Sequence, residues 1–349
     1  MKAITVVPKT ADSIDYGDVP EPDESMGSIL VEAVAVGICG TDVEIATGKY
    51  GWAPPGRDRL VLGHESLGRV LETPEGTGVK PGDLVVGIVR RPDPEPCPSC
   101  AVGEWDMCLN GQYTERGIKS LDGYMSERWR IEPGYVTRLD PSLGILGVLL
   151  EPTTVVTKAW EQVAHMESRA FWQPRTVLVT GAGPIGQLAA LLGVQRGYEV
   201  HVLDRMDSGT KPDLVRALGA TYHSGAVKDL PFEPDVVIEC TGVGQVISDA
   251  IVKVGAGGVV CLTGVGSGGR TIGLATADVA PELVLQHNVV VGSVNANRRH
   301  FYRAAQALAA ADHDWLSRLV SRRVAPDRIH EAFDRGPDDI KVVVEFSKA

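Results

Sequence analysis

His64 and Glu65 lie side by side in "LVLGHESLGRV", between two glycines in an otherwise apolar stretch. Cys39 precedes them in "GICGTD", and Glu151 follows at the end of an apolar run in "LLEPTTV". Thiolate, imidazole and carboxylate groups bind zinc, and three protein ligands with an open fourth position are typical of a catalytic zinc. Taken singly, these residues have ordinary structural interpretations: a core thiol, a loop histidine and a charge at a helix N-terminus. Because they are far apart in the sequence, only the fold could bring them together.

A glycine-rich turn is the second place where the sequence points to chemistry. The apolar run "RTVLVTG" leads into "GAGPIG" and then into "QLAALLGVQRG", whose apolar residues recur at helical spacing. In such a strand, turn and helix, glycines permit the tight turn, the approach of a pyrophosphate and close helix packing. The turn comprises Gly181, Gly183, Pro184, Ile185 and Gly186. This order of elements predicts dinucleotide binding, with the helix N-terminus facing the phosphates.

The end of the next strand bears on which nicotinamide cofactor is used. The strand "EVHVLD" ends at Asp204, whose carboxylate would accept hydrogen bonds from the ribose 2′-hydroxyl and repel a 2′-phosphate. This favours NAD. Arg205 follows immediately and could hold a 2′-phosphate, so NADP stays open as an alternative.

The elements that must position these residues fall into two groups. From about residue 176, short β-branched runs alternate with amphipathic stretches, which predicts a doubly wound α/β fold with a parallel sheet. Before residue 155, short strands and many Gly and Pro turns predict a mostly β domain. After residue 298 a helix and a final apolar strand return to complete that first domain. We therefore expect one domain over 1–155 and 298–349, and a dinucleotide-binding domain over 156–297.

Composition and charge exclude several classes of function. A chain of 349 residues and 37.2 kDa is longer than one hydrophobic core usually spans. The net charge of −11 and pI near 5.3 disfavour nucleic acid and anionic lipid as partners. No signal-peptide pattern and no bilayer-length apolar run are evident, so we expect a cytoplasmic protein without a membrane partner. In that reducing compartment clustered cysteines are metal ligands more often than disulfides, whereas Cys240 and Cys261 stand in apolar runs and are assigned to the core.

The motifs together resemble a known family. "GICGTD", "GHE", "VKPGDLVV" and "EP" with a downstream "GAGPIG" are similar to the zinc-containing medium-chain dehydrogenase/reductases over essentially the whole chain. Within that family, "LVLGHESLGRV", "IVRRPDPEPC", "GQYTERGI", "DGYMSE" and "NANRRHF" look most like the microbial glucose dehydrogenases. The resemblance implies a GroES-like catalytic domain, a Rossmann domain, and a zinc held by Cys39, His64 and Glu151. It also implies that Glu65 is a second carboxylate that approaches or replaces a zinc ligand during turnover.

The resemblance further implies a hydride transfer from a substrate carbon to the nicotinamide, with the zinc as a Lewis acid on the substrate hydroxyl. Thr41 lies where related enzymes use a hydroxyl to pass the proton towards solvent, although a turn hydroxyl is the alternative. Glu44 takes a place that a histidine holds in many alcohol dehydrogenases, and a relay through it is a hypothesis.

Two residues are implied to bind sugar hydroxyls, namely Glu115 in "GQYTERGI" and Asn295 in "VNANRRHF". Carboxylate and carboxamide groups can each hold vicinal hydroxyls by paired hydrogen bonds. The alternatives are a solvated loop charge for Glu115 and a strand-end cap for Asn295. Ile88 stands where relatives carry a sugar-binding Asn, which weakens the case for glucose itself.

The segment "DPEPCPSCAVGEWDMC" resembles the structural-zinc lobe of the same family, which usually has four cysteines. Cys97, Cys100 and Cys108 match the last three, and the first falls at Pro94. A closed zinc site needs four ligands, so either Asp93 or Glu95 supplies the missing one or the lobe carries no metal.

The sequence thus predicts an NAD(P)-linked zinc dehydrogenase of a sugar or polyol, with oxidation of glucose at C1 to the lactone as the leading case. A dehydrogenase of another polyol, cyclitol or amino-sugar is the nearest alternative. A non-catalytic NAD-binding sensor is the alternative from another class. The resemblance also implies a homodimer or homotetramer, with "NVVVGSVN" as a candidate edge strand.

Overall fold

The computed structural model describes residues 1–265 and 276–347. Its strands are β1 (Lys2–Val6), β2 (Asp15–Asp18), β3 (Ile29–Gly37), β4 (Leu60–Val61), β5 (Glu65–Glu72), β6 (Leu84–Gly87), β7 (Arg90–Arg91), β8 (Thr114–Arg116), β9 (Ser120–Leu121), β10 (Arg128–Ile131), β11 (Val136–Arg138), β12 (Thr176–Thr180), β13 (Glu199–Asp204), β14 (Thr221–Ser224), β15 (Val236–Glu239), β16 (Val259–Leu262), β17 (Val289–Gly292), β18 (Val320–Val324) and β19 (Lys341–Glu345). Its α-helices are α1 (Gly40–Ala46), α2 (Pro98–Ala101), α3 (Leu150–Met166), α4 (Pro184–Gln195), α5 (Thr210–Ala217), α6 (Gly244–Lys253), α7 (Thr276–Leu285), α8 (Arg298–Ala309), α9 (His313–Leu319) and α10 (Ile329–Phe333).

The chain divides into two compact units. The first contains Met1–Glu151 and Ala296–Ala349, and the second contains Pro152–Asn295. The change of unit therefore falls a few residues before each of the predicted positions, 155/156 and 297/298. Over the described residues, no helix has both the length and the apolar character that a membrane crossing requires.

The first unit is built around a mostly antiparallel sheet. In the described residues the strand order is β11-β6-β5-β3-β19-β18, and β10 also pairs with β3. The long strand β3, "ILVEAVAVG", pairs with β5 along one edge and with β19 along the other. Its inward side chains, such as Val31 and Val36, pack with Trp129 and Val344 in one apolar core. The last strand of the chain thus lies directly beside the strand that leads to Cys39.

The second unit is a parallel sheet with the described strand order β14-β13-β12-β15-β16-β17. Each neighbouring pair is parallel, and the strands β12, β15 and β16 are mostly buried and largely apolar, as expected for a sheet covered on both faces. The order reverses between β12 and β15, which is the topological switch point where doubly wound sheets bind ligands. The predicted fold class, a GroES-like mostly β domain with a doubly wound Rossmann domain, is confirmed.

Candidate active site

Cys39, His64 and Glu65 form one group, which we call the mixed cluster. Their ligand atoms all lie within 4.8 Å of one another, and Cys39 Sγ is 3.0 Å from His64 Nε2. The register of the sheet explains this meeting, because Gly37 at the end of β3 is the cross-strand partner of Glu65 at the start of β5. Cys39 then caps α1 just beyond the end of β3. Thiol, imidazole and carboxylate are a donor set that fits zinc.

Glu65 reaches the mixed cluster through a close approach that only glycine permits. A Cβ atom on Gly37 would lie 2.1 Å from Glu65 Oε2. Both carboxylate oxygens of Glu65 accept hydrogen bonds from Lys341 Nζ, each over 2.6 Å, and both side chains are almost completely buried. Lys341 Nζ also donates to the carbonyl oxygen of Ile38 over 3.3 Å. Sequence reasoning missed Lys341, although a lone lysine in the apolar run "IKVVVEF" is a signal that could have identified it.

Asp42 is a second buried residue that sequence reasoning did not single out as functional. Its Oδ2 accepts the Cys39 backbone N–H over 2.9 Å, and its Oδ1 lies 3.4 Å from His64 Nδ1. That second contact is an ion-pair distance without hydrogen-bond geometry. Burial opposes charge on the imidazole, yet Cys39 and Asp42 together hold the pKa of His64 well above its ordinary value. Asp42 therefore orients the ring so that Nε2 faces the thiol.

Glu151 lies at the first turn of α3, close enough to the mixed cluster to interact electrostatically with it. The residue retains some exposure, but desolvation of its carboxyl group raises the pKa of Glu151 to about 7. Glu65 adds to this increase, whereas His64 and Lys341 oppose it. In the described part of the chain, Glu65 and not Glu151 completes the compact group of ligand atoms.

Thr41 and Glu44 lie on α1, the helix that begins at the mixed cluster. The backbone N–H of Thr41 donates to Cys39 Sγ over 3.2 Å. Both residues are partly exposed. Cys39 is itself half-buried, whereas Ile45 and Ala46 at the other end of the helix are buried, so a proton relay through Thr41 and Glu44 stays a hypothesis.

Glu115 is buried and bonded, not a solvated loop charge. It pairs across strands with Arg90, whose Nε and Nη2 donate to Glu115 Oε1 over 3.0 and 2.9 Å. Ile88 is fully buried in the first unit. Asn295 belongs to the second unit, where it adopts a left-handed backbone conformation with φ of 61°.

The segment from Asp93 to Cys108, which we call the cysteine lobe, holds the second potential metal group. The Sγ atoms of Cys97, Cys100 and Cys108 lie within 4.8 Å of one another. Backbone hydrogen bonds, foremost from Leu109 N–H at 3.3 Å, lower the pKa of Cys97 to about 6. Burial raises the pKa of Cys100 to about 11. Three thiols this close together are a donor set that fits zinc.

The structure distinguishes the two carboxylates considered as a fourth lobe ligand. Asp93 is 4% exposed, and its Oδ2 has no hydrogen-bond partner in the described residues. Glu95 is exposed, and its backbone N–H donates to Asp93 Oδ1 over 2.9 Å. A buried carboxylate oxygen without a partner is costly, so Asp93 is the better placed of the two to bind a cation.

The glycine turn of the second unit has the geometry that a pyrophosphate site needs. Gly181 has φ of 87°, and Gly183 is the N-cap residue of α4 with open space where a side chain would lie. A Cβ atom on Gly186 would lie 1.7 Å from the carbonyl oxygen of Gly181, so helix and turn could not pack with any other residue. Pro184 and Ile185 form the first turn of α4. The Asp204 carboxylate accepts the backbone N–H groups of Ala182 and Arg205, each over 2.6 Å; the two bonds fix its position at the strand end.

Glu239 is a further residue that sequence reasoning missed. It is completely buried at the end of β15, beside the switch point. Its carboxylate accepts the Thr241 N–H over 2.7 Å, the Thr180 hydroxyl over 3.2 Å and the Gly242 N–H over 3.1 Å. The carboxylate thus joins the ends of β12 and β15. An acid at the end of the apolar run "DVVIEC" was the available signal.

Comparison with known proteins places the chain in a family. The alcohol dehydrogenase GroES-like domain family matches residues 25–141, and the glucose dehydrogenase C-terminus family matches residues 144–346. Glucose 1-dehydrogenase from Methanocella arvoryzae is 38% identical, with 99% of each chain covered. Glucose 1-dehydrogenase 1 from Caldivirga maquilingensis is also 38% identical over 99% of each chain.

Solved structures agree with this relationship. Haloferax mediterranei glucose dehydrogenase, solved in complex with NADP, Zn and gluconolactone, superposes with a TM-score of 0.92 at 33% identity over the whole of both chains. The 2R,3R-butanediol dehydrogenase from Bacillus subtilis shares the fold with a TM-score of 0.80 at 21% identity. The resemblance found in the sequence motifs is confirmed. The chain belongs to the glucose dehydrogenase family of the zinc-containing medium-chain dehydrogenases.

Proposed function

We propose that this chain is a zinc-dependent, nicotinamide-linked dehydrogenase of sugars, with oxidation of D-glucose at C1 to the lactone as the leading reaction. The observation that carries the proposal is the mixed cluster, where a half-buried thiol converges with a buried imidazole and a buried carboxylate, beside a second carboxylate, Glu151. A non-catalytic sensor has no need of such a site. The relatives named glucose 1-dehydrogenase support the choice of substrate.

Cys39, His64 and Glu151 are proposed to hold the catalytic zinc, and Glu65 is the carboxylate that can approach it. When bound, the zinc supplies Lewis acidity to the substrate hydroxyl, which favours departure of the hydride from the same carbon. Asp42 keeps the imidazole in the orientation needed for binding. Lys341 holds the Glu65 carboxylate by two hydrogen bonds, so that Glu65 is not a permanent ligand.

Proton release is proposed to run along α1. The Thr41 hydroxyl would accept the proton of the substrate hydroxyl while it gives its own proton to the Glu44 carboxylate, and Glu44 would then release that proton to solvent. A Thr41→Val variant tests this step, because it keeps the side-chain shape and removes the hydroxyl. We expect turnover to fall at least about tenfold, and unchanged turnover would contradict the relay.

The cofactor is proposed to lie at the switch point of the second unit, with its pyrophosphate on the N-terminus of α4. The carboxylate of Asp204 favours NAD, whereas Arg205 suits a 2′-phosphate. The Haloferax relative was solved with NADP, so both cofactors should be assayed. An Asp204→Ser variant should shift the kcat/KM ratio towards NADP by about tenfold, because it removes the repulsion of the 2′-phosphate.

Glu115 and Asn295 are each proposed to bind sugar hydroxyls. An aromatic pair lies near Glu115: Tyr50 and Trp52 are each more than one third exposed, with ring centroids 4.9 Å apart. Burial and the nearby Glu115 carboxylate raise the pKa of Tyr50, which places the two groups in the same neighbourhood. Exposed aromatic rings beside a carboxylate suit a pyranose, which has both apolar and hydroxyl-bearing faces.

The experiment that tests the function is NADH and NADPH formation at 340 nm with aldoses, polyols and cyclitols. We expect activity with D-glucose and formation of the lactone. Activity with another polyol only would keep the zinc chemistry and contradict the assignment of glucose. If the zinc-loaded chain forms no NADH or NADPH with any of these compounds, the proposed reaction is contradicted.

A cytoplasmic homo-oligomer is proposed in addition. The cysteines in the described residues are all free, as in a reducing compartment. Strand β17 lies at an edge of the described six-stranded sheet, and Val284 and Leu285 just before it are exposed. Pairing of two β17 edges would cover these groups. Light scattering should therefore report a dimer or tetramer, and a monomer would contradict this proposal.

A further inference from the structure

One guanidinium group joins the cysteine lobe to the carboxylate proposed to bind the sugar. Arg90 Nε and Nη2 donate to Glu115 Oε1, while Arg90 Nη1 donates to the main-chain carbonyl of Asp106 over 3.2 Å. Asp106 lies within the lobe, between Cys100 and Cys108. A single side chain therefore connects the main chain of the lobe to the Glu115 carboxylate.

The surroundings of Arg90 leave the guanidinium little freedom. Arg90 and Glu115 face each other in register on β7 and β8, and each is only 6% exposed. The guanidinium also stacks over the Tyr113 ring, with its carbon 3.7 Å from the centroid. A planar donor group that is buried and stacked fixes both the position and the orientation of the carboxylate it binds.

The lobe is anchored on another side by α8. Asn297 Nδ2 donates to Asp106 Oδ1 over 2.7 Å, and Arg299 pairs with Glu104 over 2.9 Å. Asp106 is thus held by Asn297 through its side chain and by Arg90 through its carbonyl oxygen. If the lobe changes conformation, the guanidinium must follow this carbonyl or lose its bond.

We propose that Arg90 is a positioning residue that sets the Glu115 carboxylate for the sugar hydroxyls, and that the cysteine lobe affects sugar affinity through it. The inference rests on the proposed function, since it requires Glu115 to contact the sugar. The lobe supplies no reacting group. It helps to position the Glu115 carboxylate through Arg90.

The first test compares Arg90→Met and Arg90→Lys with the matched control Arg91→Met. Arg91 is the next residue of β7, is also buried, and pairs with Glu132 instead of Glu115. We expect the KM for D-glucose to rise about 10- to 100-fold in Arg90→Met, with kcat changed less than about threefold. Arg90→Lys keeps the positive charge but lacks the planar guanidinium group with its fixed N–H donors, and it should give an intermediate KM. Arg91→Met should lower the melting temperature and leave the KM unchanged.

A second readout does not depend on turnover. D-glucose should raise the melting temperature of the zinc-loaded wild type and of Arg91→Met, because a ligand of the folded state stabilises it. At the same glucose concentration, Arg90→Met should show a much smaller shift. An equal shift in all three proteins would overturn the positioning role.

The link to the lobe is tested by a double-mutant cycle of Cys108→Ser and Arg90→Met. Cys108→Ser should raise the KM in the wild-type background and add little in Arg90→Met, because both changes act through the same bond. Additive effects, or an unchanged KM in Cys108→Ser, would overturn the link. If Cys108→Ser does not fold, Glu104→Gln replaces it in the cycle, because it weakens the partly exposed contact of the lobe with Arg299.

A wild type without sugar-dependent activity would overturn both the proposed function and this inference. An active wild type whose KM is the same in Arg90→Met would overturn the inference alone.

Discussion

The mixed cluster and the cysteine lobe each bring three potential metal ligands within 4.8 Å, but they are built in opposite ways. The mixed cluster takes its ligands from separate elements, and charged neighbours contact them: Asp42 faces His64, and Lys341 binds Glu65. The lobe takes three thiols from one short segment, and backbone N–H groups provide the main hydrogen bonds to Cys97. In the mixed cluster, charged side chains compete with a metal for the ligand groups. In the lobe, backbone hydrogen bonds hold a thiol in place.

This difference matters for chemistry because a catalytic metal must exchange one of its ligands, while a structural metal must keep all of them. Charged side chains around the mixed cluster allow a carboxylate to be shared between a lysine and a metal. A set of thiols that backbone groups hold in place has no such alternative partner.

The contrast is tested most strongly by His64→Ala compared with Cys100→Ser. Metal analysis should show that His64→Ala loses one zinc per chain, and loss of a zinc in Cys100→Ser would show that the lobe also binds one. His64→Ala should lower turnover about a thousandfold or more, because the Lewis acid is lost from the reaction. Cys100→Ser should lower thermal stability and reduce turnover far less. Similar losses of turnover in the two variants would contradict the assignment of a catalytic role to the mixed cluster and a structural role to the lobe.

Lys341→Met should strongly destabilise the first unit. The substitution leaves the buried Glu65 carboxylate without its cation, which costs about 3–5 kcal/mol of unfolding free energy. The double variant Lys341→Met/Glu65→Gln should recover part of this loss. Lys2→Met is the matched control, because Lys2 pairs with Asp18 at the surface and should cost less than about 1 kcal/mol. Denaturant unfolding measures the free energy of unfolding of all three variants. Equal decreases in Lys341→Met and Lys2→Met would show that the buried ion pair is no more important for stability than the surface pair.

Asp42→Asn should weaken zinc binding at the mixed cluster alone. The variant keeps the size of the side chain but removes the charge facing His64, and loss of such a partner typically costs about 10- to 100-fold in metal affinity. Competition with a chelator gives both affinities in one experiment. The lobe serves as the internal control, so a parallel decrease at both sites would indicate general destabilisation instead.

The smallest expected effect is the pH dependence of zinc binding at the mixed cluster. In the metal-free chain burial raises the pKa of Glu151 to about 7, so below that pH the carboxyl group is protonated and must lose its proton before it can bind zinc. Affinity should therefore fall as the pH drops through about 7, by up to about tenfold per pH unit for this proton. Glu151→Gln should have a shallower slope, and equal slopes would remove Glu151 from the ligand set.

The same contrast explains how much the sequence could predict. The strand, glycine turn and helix of the second unit follow one another in the chain, so local patterns were sufficient to predict them. The lobe cysteines are likewise close in sequence. The partners of the mixed cluster are not: Lys341 meets Glu65 because β19 lies beside β3, and no local pattern encodes that neighbour. Arg90 was missed for the same reason, since its bonds to Glu115 join separate strands.

The mixed cluster is expected to hold a zinc that takes part in sugar oxidation. The most direct measurement is the rate of NAD(P)H formation from D-glucose in the untreated chain, after a chelator has removed its zinc, and after zinc is returned. The rate should disappear with the loss of zinc and recover in proportion to the amount of zinc that binds again. A glucose-dependent rate that persists in the zinc-free chain would contradict it.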